Sequence, residues 1–260
     1  MKMKTFWIVL KGFIVGATML VPGVSGGSMA MILGIYDELI QSVNSFIKKK
    51  SMITLFLFCI GGISGVILFS YPMLYLLEHY YMHMMYLFIG CVIASISFIK
   101  RKSGIIHFQM KHFSYISIGI VCVTLFSYLP SFAFDTHMSV YIIAGFLLAI
   151  ALVLPGISVS YVMVLFGIYE PIIIMIQEWD VIGLIPIVLG GMAGVLTISH
   201  LLEYLLKEYG EITYLIIFGF VVGSIVEIFP GFPSLYQLIP CLLLFGIGFG
   251  VICFLSRMED

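Results

Sequence analysis

Charged residues are scarce: they make up 10% of the 260-residue chain, against about 25% in a typical soluble domain. Hydrophobic residues make up 62%, so there is too little polar surface to cover a water-exposed globule. That excludes a soluble domain and implies an all-α polytopic membrane protein. Neither sign of charge dominates, with 12 Lys and Arg against 13 Asp and Glu, so there is no basic face for nucleic acid. Arginine occurs only as Arg101 and Arg257, outside every predicted span. Cysteine is equally uninformative as chemistry. Cys59, Cys91, Cys122, Cys241 and Cys253 are scattered through apolar segments without metal-ligand spacing. They read as small packing residues, and neither metal nor cofactor is expected.

The N-terminus "MKMKTFWIVLKGF" has the basic start of a signal segment. Lys11 interrupts its apolar run and no small-residue cleavage site follows, so it reads as retained. A helical span needs about 20 apolar residues. Six continuous candidates occur near 52–77, 84–99, 114–130, 181–206, 212–229 and 234–256, and "KRKSGIIHFQMKH" at 100–112 is the longest loop. Two further apolar stretches, 6–46 and 139–178, are too long for one span. They are broken at Pro22-Gly23 and Pro155-Gly156.

The broken stretches are copies of one another. "KGFIVGATMLVPGVSGGSMAMILGIY" (11–36) aligns without gaps on "AGFLLAIALVLPGISVSYVMVLFGIY" (144–169). The likeness continues from "GGISGVILFSYPMLYLL" (61–77) to "GGMAGVLTISHLLEYLL" (190–206), and Gly90 and Ser95 fall opposite Gly219 and Ser224. The chain is therefore expected to be a single membrane domain, 1–260, made of a first repeat at 5–130 and a second at 139–256.

Basic residues near membrane ends stay cytoplasmic. If each broken stretch is a re-entrant hairpin, Lys2, Lys4, Lys48, Lys49, Lys50, Lys100, Arg101, Lys102, Lys111, Lys207 and Arg257 all fall on one side, and Lys11 can snorkel to it. The other side keeps acids and histidines: Glu78, His79, His83, Asp135, His137, Glu178 and Asp180. If the stretch crosses, the basic residues split between the two faces. The re-entrant arrangement is expected, with both termini cytoplasmic. Three crossings per half then invert the second repeat, and inverted repeats with discontinuous helices are the architecture of secondary transporters.

Proline ends a helix and glycine tolerates the turn that follows. The second arm of each hairpin should restart after the break, with unpaired N–H groups near Ser25–Ser28 and Ser158–Tyr161. A helix start favours an anion. The candidate binding groups are Pro22, Gly23, Val24, Ser25, Gly26, Gly27 and Ser28 at one tip, and Pro155, Gly156, Ile157, Ser158 and Ser160 at the other. Close helix packing is the plain alternative, preferred for Gly61, Gly65, Gly246 and Gly250. G-x-S-x-G at Gly23–Gly27 also raises a nucleophilic serine, with His200 as partner. The second copy keeps Ser158 but has Val159 and Ser160 in place of the glycines, and Tyr71 faces His200 in the alignment, so no catalytic residue is assigned. His200 and Glu203, one helical turn apart, are the candidate ion-coupling pair, since ionisable residues within spans are functional candidates. Glu78 and Glu227 read as interfacial. Asp37, Glu38 and Glu170 read as ending the hairpin's second arm, and "YDELIQSVNSFIKKK" reads as an amphipathic segment along the membrane surface.

With its second "LPGIS…LFGIYE" hairpin, "KGFIVGATMLVPGVSGGSMAMILGIYDELI" resembles the polyprenyl-phosphate transporter family, long labelled domain of unknown function 368. The resemblance spans essentially the whole chain and departs from the family's pattern at Val159, where a glycine is usual. It implies a bacterial plasma-membrane flippase that returns undecaprenyl phosphate, the lipid carrier of cell-wall (peptidoglycan) precursors, from the outer to the cytoplasmic leaflet. A proton or sodium gradient is the implied drive, and membrane lipids are the surroundings. A transporter of a small soluble anion is the alternative, an intramembrane hydrolase a lesser one. The oligomeric state is open, a homo-oligomer included.

Overall fold

The computed structural model describes residues 2–19, 25–103, 109–127, 138–178 and 180–257, whose regular structure is entirely helical. The first apolar stretch becomes α1 (Lys2–Thr18), α2 (Gly26–Ile32) and α3 (Tyr36–Asn44), followed by α4 (Lys49–Ser103) and α5 (Met110–Ser127). The second becomes α6 (Met138–Val153), α7 (Val159–Leu165) and α8 (Tyr169–Gln177), followed by α9 (Val181–Glu208), α10 (Gly210–Ile228) and α11 (Leu235–Arg257). Lys49–Met73, Tyr75–Ile96, Val181–Glu208 and Leu235–Phe254 are long and apolar enough to cross a membrane. Shorter apolar helices run over Thr5–Thr18, Met110–Leu125, Met138–Val153 and Gly210–Val226. Large apolar side chains such as Ile67, Leu68, Ile182 and Leu243 face outward, as lipid requires of a membrane protein.

The spans expected separately at 52–77 and 84–99 run together in α4. One residue interrupts its helical dihedrals, Tyr80 at φ −132°, ψ 34°. Tyr209, its counterpart in the alignment, makes the same single-residue corner between α9 and α10 at φ −130°, ψ 41°. The short helices correspond as closely. α2 and α7 have seven residues each, α3 and α8 nine. Gly34 and Gly167 both take φ 64°, and the N–H groups of Ile35 and Ile168 reach back to the carbonyls of Ala30 and Met163, each at 3.0 Å. Each is the left-handed glycine cap that closes a helix and satisfies its last carbonyls.

Glycines set how the long helices meet. A Cβ on Gly61 would stand 2.1 Å from the Val9 carbonyl oxygen, and one on Gly65 2.1 Å from that of Phe13. Partner numbers rise together, so α1 and the start of α4 run parallel, and the chain between them must come back before α4 sets out. In α6 and α9, Gly190 meets Ile142 and Gly194 meets Phe146 in the same register. The last helices pack across the halves. Gly219 of α10 meets Ile116 of α5, and Gly90 of α4 meets Phe245 of α11. His112 Nε2 lies 3.0 Å from Glu211 Oε1, tying the starts of α5 and α10 together. By contrast, no described residue comes within contact distance of a Cβ on Gly246 or Gly250, so among the described residues the packing expected for them is not made. Cys91 and Cys241 are buried as expected of packing residues, whereas Cys59 and Cys122 face outward.

One difference separates the halves. Gly12 corresponds to Gly145 but Gly61 to Gly190, so the first half carries four more residues ahead of Gly61, one in the connection and three at the start of α4. Lys48 lies just before α4, and Lys49 and Lys50 open it. The main core joins both halves around Ile32, Ile35, Met85, Val153, Leu202 and Val221.

Candidate functional site

Where α6 ends at Val153, its last carbonyls lose their intrahelical partners, and Pro155 has no N–H to offer. Buried backbone groups must find other donors and acceptors. Here the first stretch supplies them. Tyr36 Oη donates to the Val153 carbonyl at 3.0 Å, Ser25 Oγ donates to that of Leu154 at 3.3 Å, and Ser28 Oγ accepts from the Gly156 N–H at 2.8 Å. Ser25, Ser28 and Tyr36 are all buried. Gly27 lies so close that a Cβ there would stand 2.8 Å from the Val153 oxygen. Gly156 takes φ +87°, and a Cβ on it would also stand 2.5 Å from the Phe220 carbonyl oxygen. Two segments more than a hundred residues apart are thus joined through their broken backbones.

Ser25 is the N-cap of α2, and its hydroxyl also accepts from the Ser28 N–H at 3.3 Å. The Ser28 N–H, expected to be unpaired, and the Gly156 N–H beside it are therefore taken by side chains of the protein itself. Gly26 and Gly27 are buried beside them, as are Pro155, Gly156 and Ser158, with Ile157 half-buried at the second tip. Pro22, Gly23, Val24 and the Ser160 side chain lie outside the described residues, as do His137 and the Glu227 side chain.

The ion-coupling candidates are not joined to each other. Glu203 accepts from Asn44 Nδ2 on α3 and, at 2.7 Å, from Lys207 Nζ. The Asn44 amide also donates to the Ser199 carbonyl at 2.9 Å, so it fastens α3 to α9. His200 is exposed, with Nδ1 3.1 Å from the carbonyl of Leu196. It makes no hydrogen bond to Ser25, whose hydroxyl is given to Leu154, so no Ser–His dyad is formed. Asp37 and Glu38, expected to end the second arm, instead begin α3, where an acid suits the helix dipole. Asp37 also accepts from Tyr214 Oη at 3.0 and 3.1 Å. Glu170 occupies the first turn of α8.

Two apolar chambers lie beside the junction. The smaller, about 180 Å³, is walled by Gly26, Gly27, Tyr36, Ile40, Val153 and Ser199 among others. The larger, about 510 Å³, runs between α3, α4, α6 and α9, past Phe46, Leu148, Ala149, Gly191 and Met192. Val43, Leu55, Leu152 and Val195 line both, so the two share a wall.

Ser25, Ser28 and Gly156 were singled out in the sequence and are joined here, whereas Tyr36, Asn44, Ser199 and Tyr214 were not singled out as site residues. The repeated tyrosine of "GIY" was the available signal for Tyr36. Nothing local marks the other three.

Residues 15–239 match the family model described as VCA0040-like, undecaprenyl phosphate translocase-like. A polyprenyl-phosphate transporter of Staphylococcus aureus is 32% identical over 97% of this chain and 96% of its own length. A polyprenyl-phosphate transporter of Vibrio cholerae is 28% identical over 85% of this chain and 76% of its own. No solved structure matches.

Proposed function

The chain belongs to the undecaprenyl phosphate translocase-like family, and from that premise we propose that it transports a polyprenyl phosphate across the bacterial plasma membrane. The lipid is undecaprenyl phosphate, returned from the outer to the cytoplasmic leaflet for reuse in peptidoglycan and other cell-wall synthesis. Both termini are cytoplasmic. The observation that carries the reading is the junction of the two broken stretches. Backbone N–H groups and serine hydroxyls, the donors a phosphate needs, meet there inside an otherwise apolar interior.

The two stretches act as re-entrant hairpins of two inverted repeats, 5–130 and 139–256. Parallel packing of α1 on α4 and of α6 on α9 supports this, because each intervening segment has to return. The phosphate is held between Pro22–Ser28 and Pro155–Ser160. Capturing it requires Ser28 to leave the Gly156 N–H, so that a phosphate oxygen accepts in place of the serine oxygen. The apolar walls of the adjoining chambers suit a prenyl chain and disfavour a small soluble anion as cargo. Ion coupling is assigned to Glu203 with His200, and the gradient is of protons or sodium.

The test is a flipping assay in proteoliposomes with labelled undecaprenyl phosphate and an imposed proton or sodium gradient. Ser25→Leu combined with Ser158→Leu should abolish both lipid binding and flipping. Unchanged binding would remove the phosphate from the tips.

A further inference from the structure

The corresponding short helices of the two halves are docked differently. α3 packs on α4 of its own half and on α9 of the other. There Tyr36 is 4% exposed, and Asn44 donates to the Ser199 carbonyl. α8 packs on α9 and α7, without a comparable footing on α4 among the described residues, and Tyr169, the counterpart of Tyr36, is 43% exposed. The faces that would receive the two helices differ in the same sense. On α9, Ser199 is fully buried, Val195 is half-buried and Leu196 is 36% exposed. Their counterparts on α4 are Ser70, which is not buried, Val66, which is exposed, and Ile67, at 66%.

The anchoring positions are alike. Tyr36 is matched by Tyr169, Asn44 by Gln177 and Ser199 by Ser70, and α3 and α8 begin and end at corresponding residues, although the positions between them differ, with Pro171 and Ile174 in place of Glu38 and Gln41. An element of the same length, with a tyrosine at its start and an amide at its end, can find the same kind of acceptor when the geometry is exchanged. We infer that the outward face of α4 from Ile63 to Ser70 is a docking site for α8, occupied in a second conformation in which the halves trade roles. In that state Gln177 donates to the Ser70 carbonyl, Tyr169 is buried, and α3 is released from α9. One position lacks its counterpart. Glu203 is matched by Leu74, so the second docking has no carboxylate acceptor and is the weaker of the two. This rests on the inverted-repeat reading above and supplies the motion that would open the tips alternately to the two leaflets.

The test uses the full chain in lipid nanodiscs, in a background whose five native cysteines are replaced by alanine. Asn44→Cys with Ser199→Cys should cross-link in the conformation described. Ser70→Cys with Gln177→Cys should cross-link in the other, and adding Asn44→Ala to that pair should raise its yield. A photo-reactive residue at Ile67, in the otherwise native chain, should capture a peptide from 169–177 and gives the same readout without removing cysteines. If the first pair forms while the second never does, and position 67 captures only lipid, the docking site does not exist. If both pairs form but labelled undecaprenyl phosphate is not flipped, the exchange stands and the transport reading fails.

Discussion

Tyr36 and Ser28 each hold a backbone group that would otherwise face apolar side chains. Leaving a buried donor or acceptor unpaired costs about 1–3 kcal/mol. Tyr36→Phe bares the Val153 carbonyl, and Ser28→Ala bares the Gly156 N–H. Each should lower the unfolding free energy by an amount in that range, read as a drop in melting temperature in detergent, while Tyr169→Phe, at an exposed position, should leave it unchanged. Gly156→Ala should cost more, because its positive φ disfavours any side chain and the Phe220 carbonyl occupies the space. The glycines and prolines of the tips were legible because both copies carry the same break. Asn44, Ser199 and Tyr214 were not, since each is defined by a partner more than 150 residues away.

At the level of the helices, the glycine contacts carry the load of alignment. A Cβ on Gly190 would stand 1.9 Å from the Ile142 carbonyl oxygen. Gly190→Val should therefore force α6 and α9 apart and cut the yield of folded protein, and Gly61→Val should do the same for α1 and α4. Gly246→Val and Gly250→Val should be tolerated, and size-exclusion profiles after detergent extraction would separate the two classes. Hydropathy located the long helices well but placed a boundary inside α4. The polar run "EHYYMH" (78–83) marks where the chain would meet water, and a helix can pass through that level with one distorted residue. Periodicity reports solvent, not backbone continuity. The restart of the chain as α2 and α7 was legible from the proline–glycine breaks, but the second break, at Gly34 and Gly167, was not, because a single glycine turns the chain there without a change in hydropathy.

For the whole molecule, the chambers and the junction should act on different parts of one cargo. Ala149→Phe narrows the larger chamber at its wall. It should slow flipping of undecaprenyl phosphate more than that of a short-chain prenyl phosphate in the same proteoliposomes. The repetition of the broken stretch could be read from the alignment, but the unequal docking of α3 and α8 could not, because the partners that bury Tyr36 and Asn44, Val153 and Ser199, lie more than a hundred residues away. The four additional residues of the first half have an effect on biogenesis. On the inverted-repeat reading proposed above, the two halves offer the insertion machinery two comparable orientations, a dual topology in which each molecule could enter either way up. Lys48, Lys49 and Lys50 stand at the start of α4, whereas the second half has Glu178 and Asp180 just before α9. Since lysine and arginine bias sets orientation, replacing the three lysines by glutamine should yield a mixed population, read by a C-terminal reporter that is active on one side of the membrane only. The lengthened, basic start of one helix would then serve as the chain's compass.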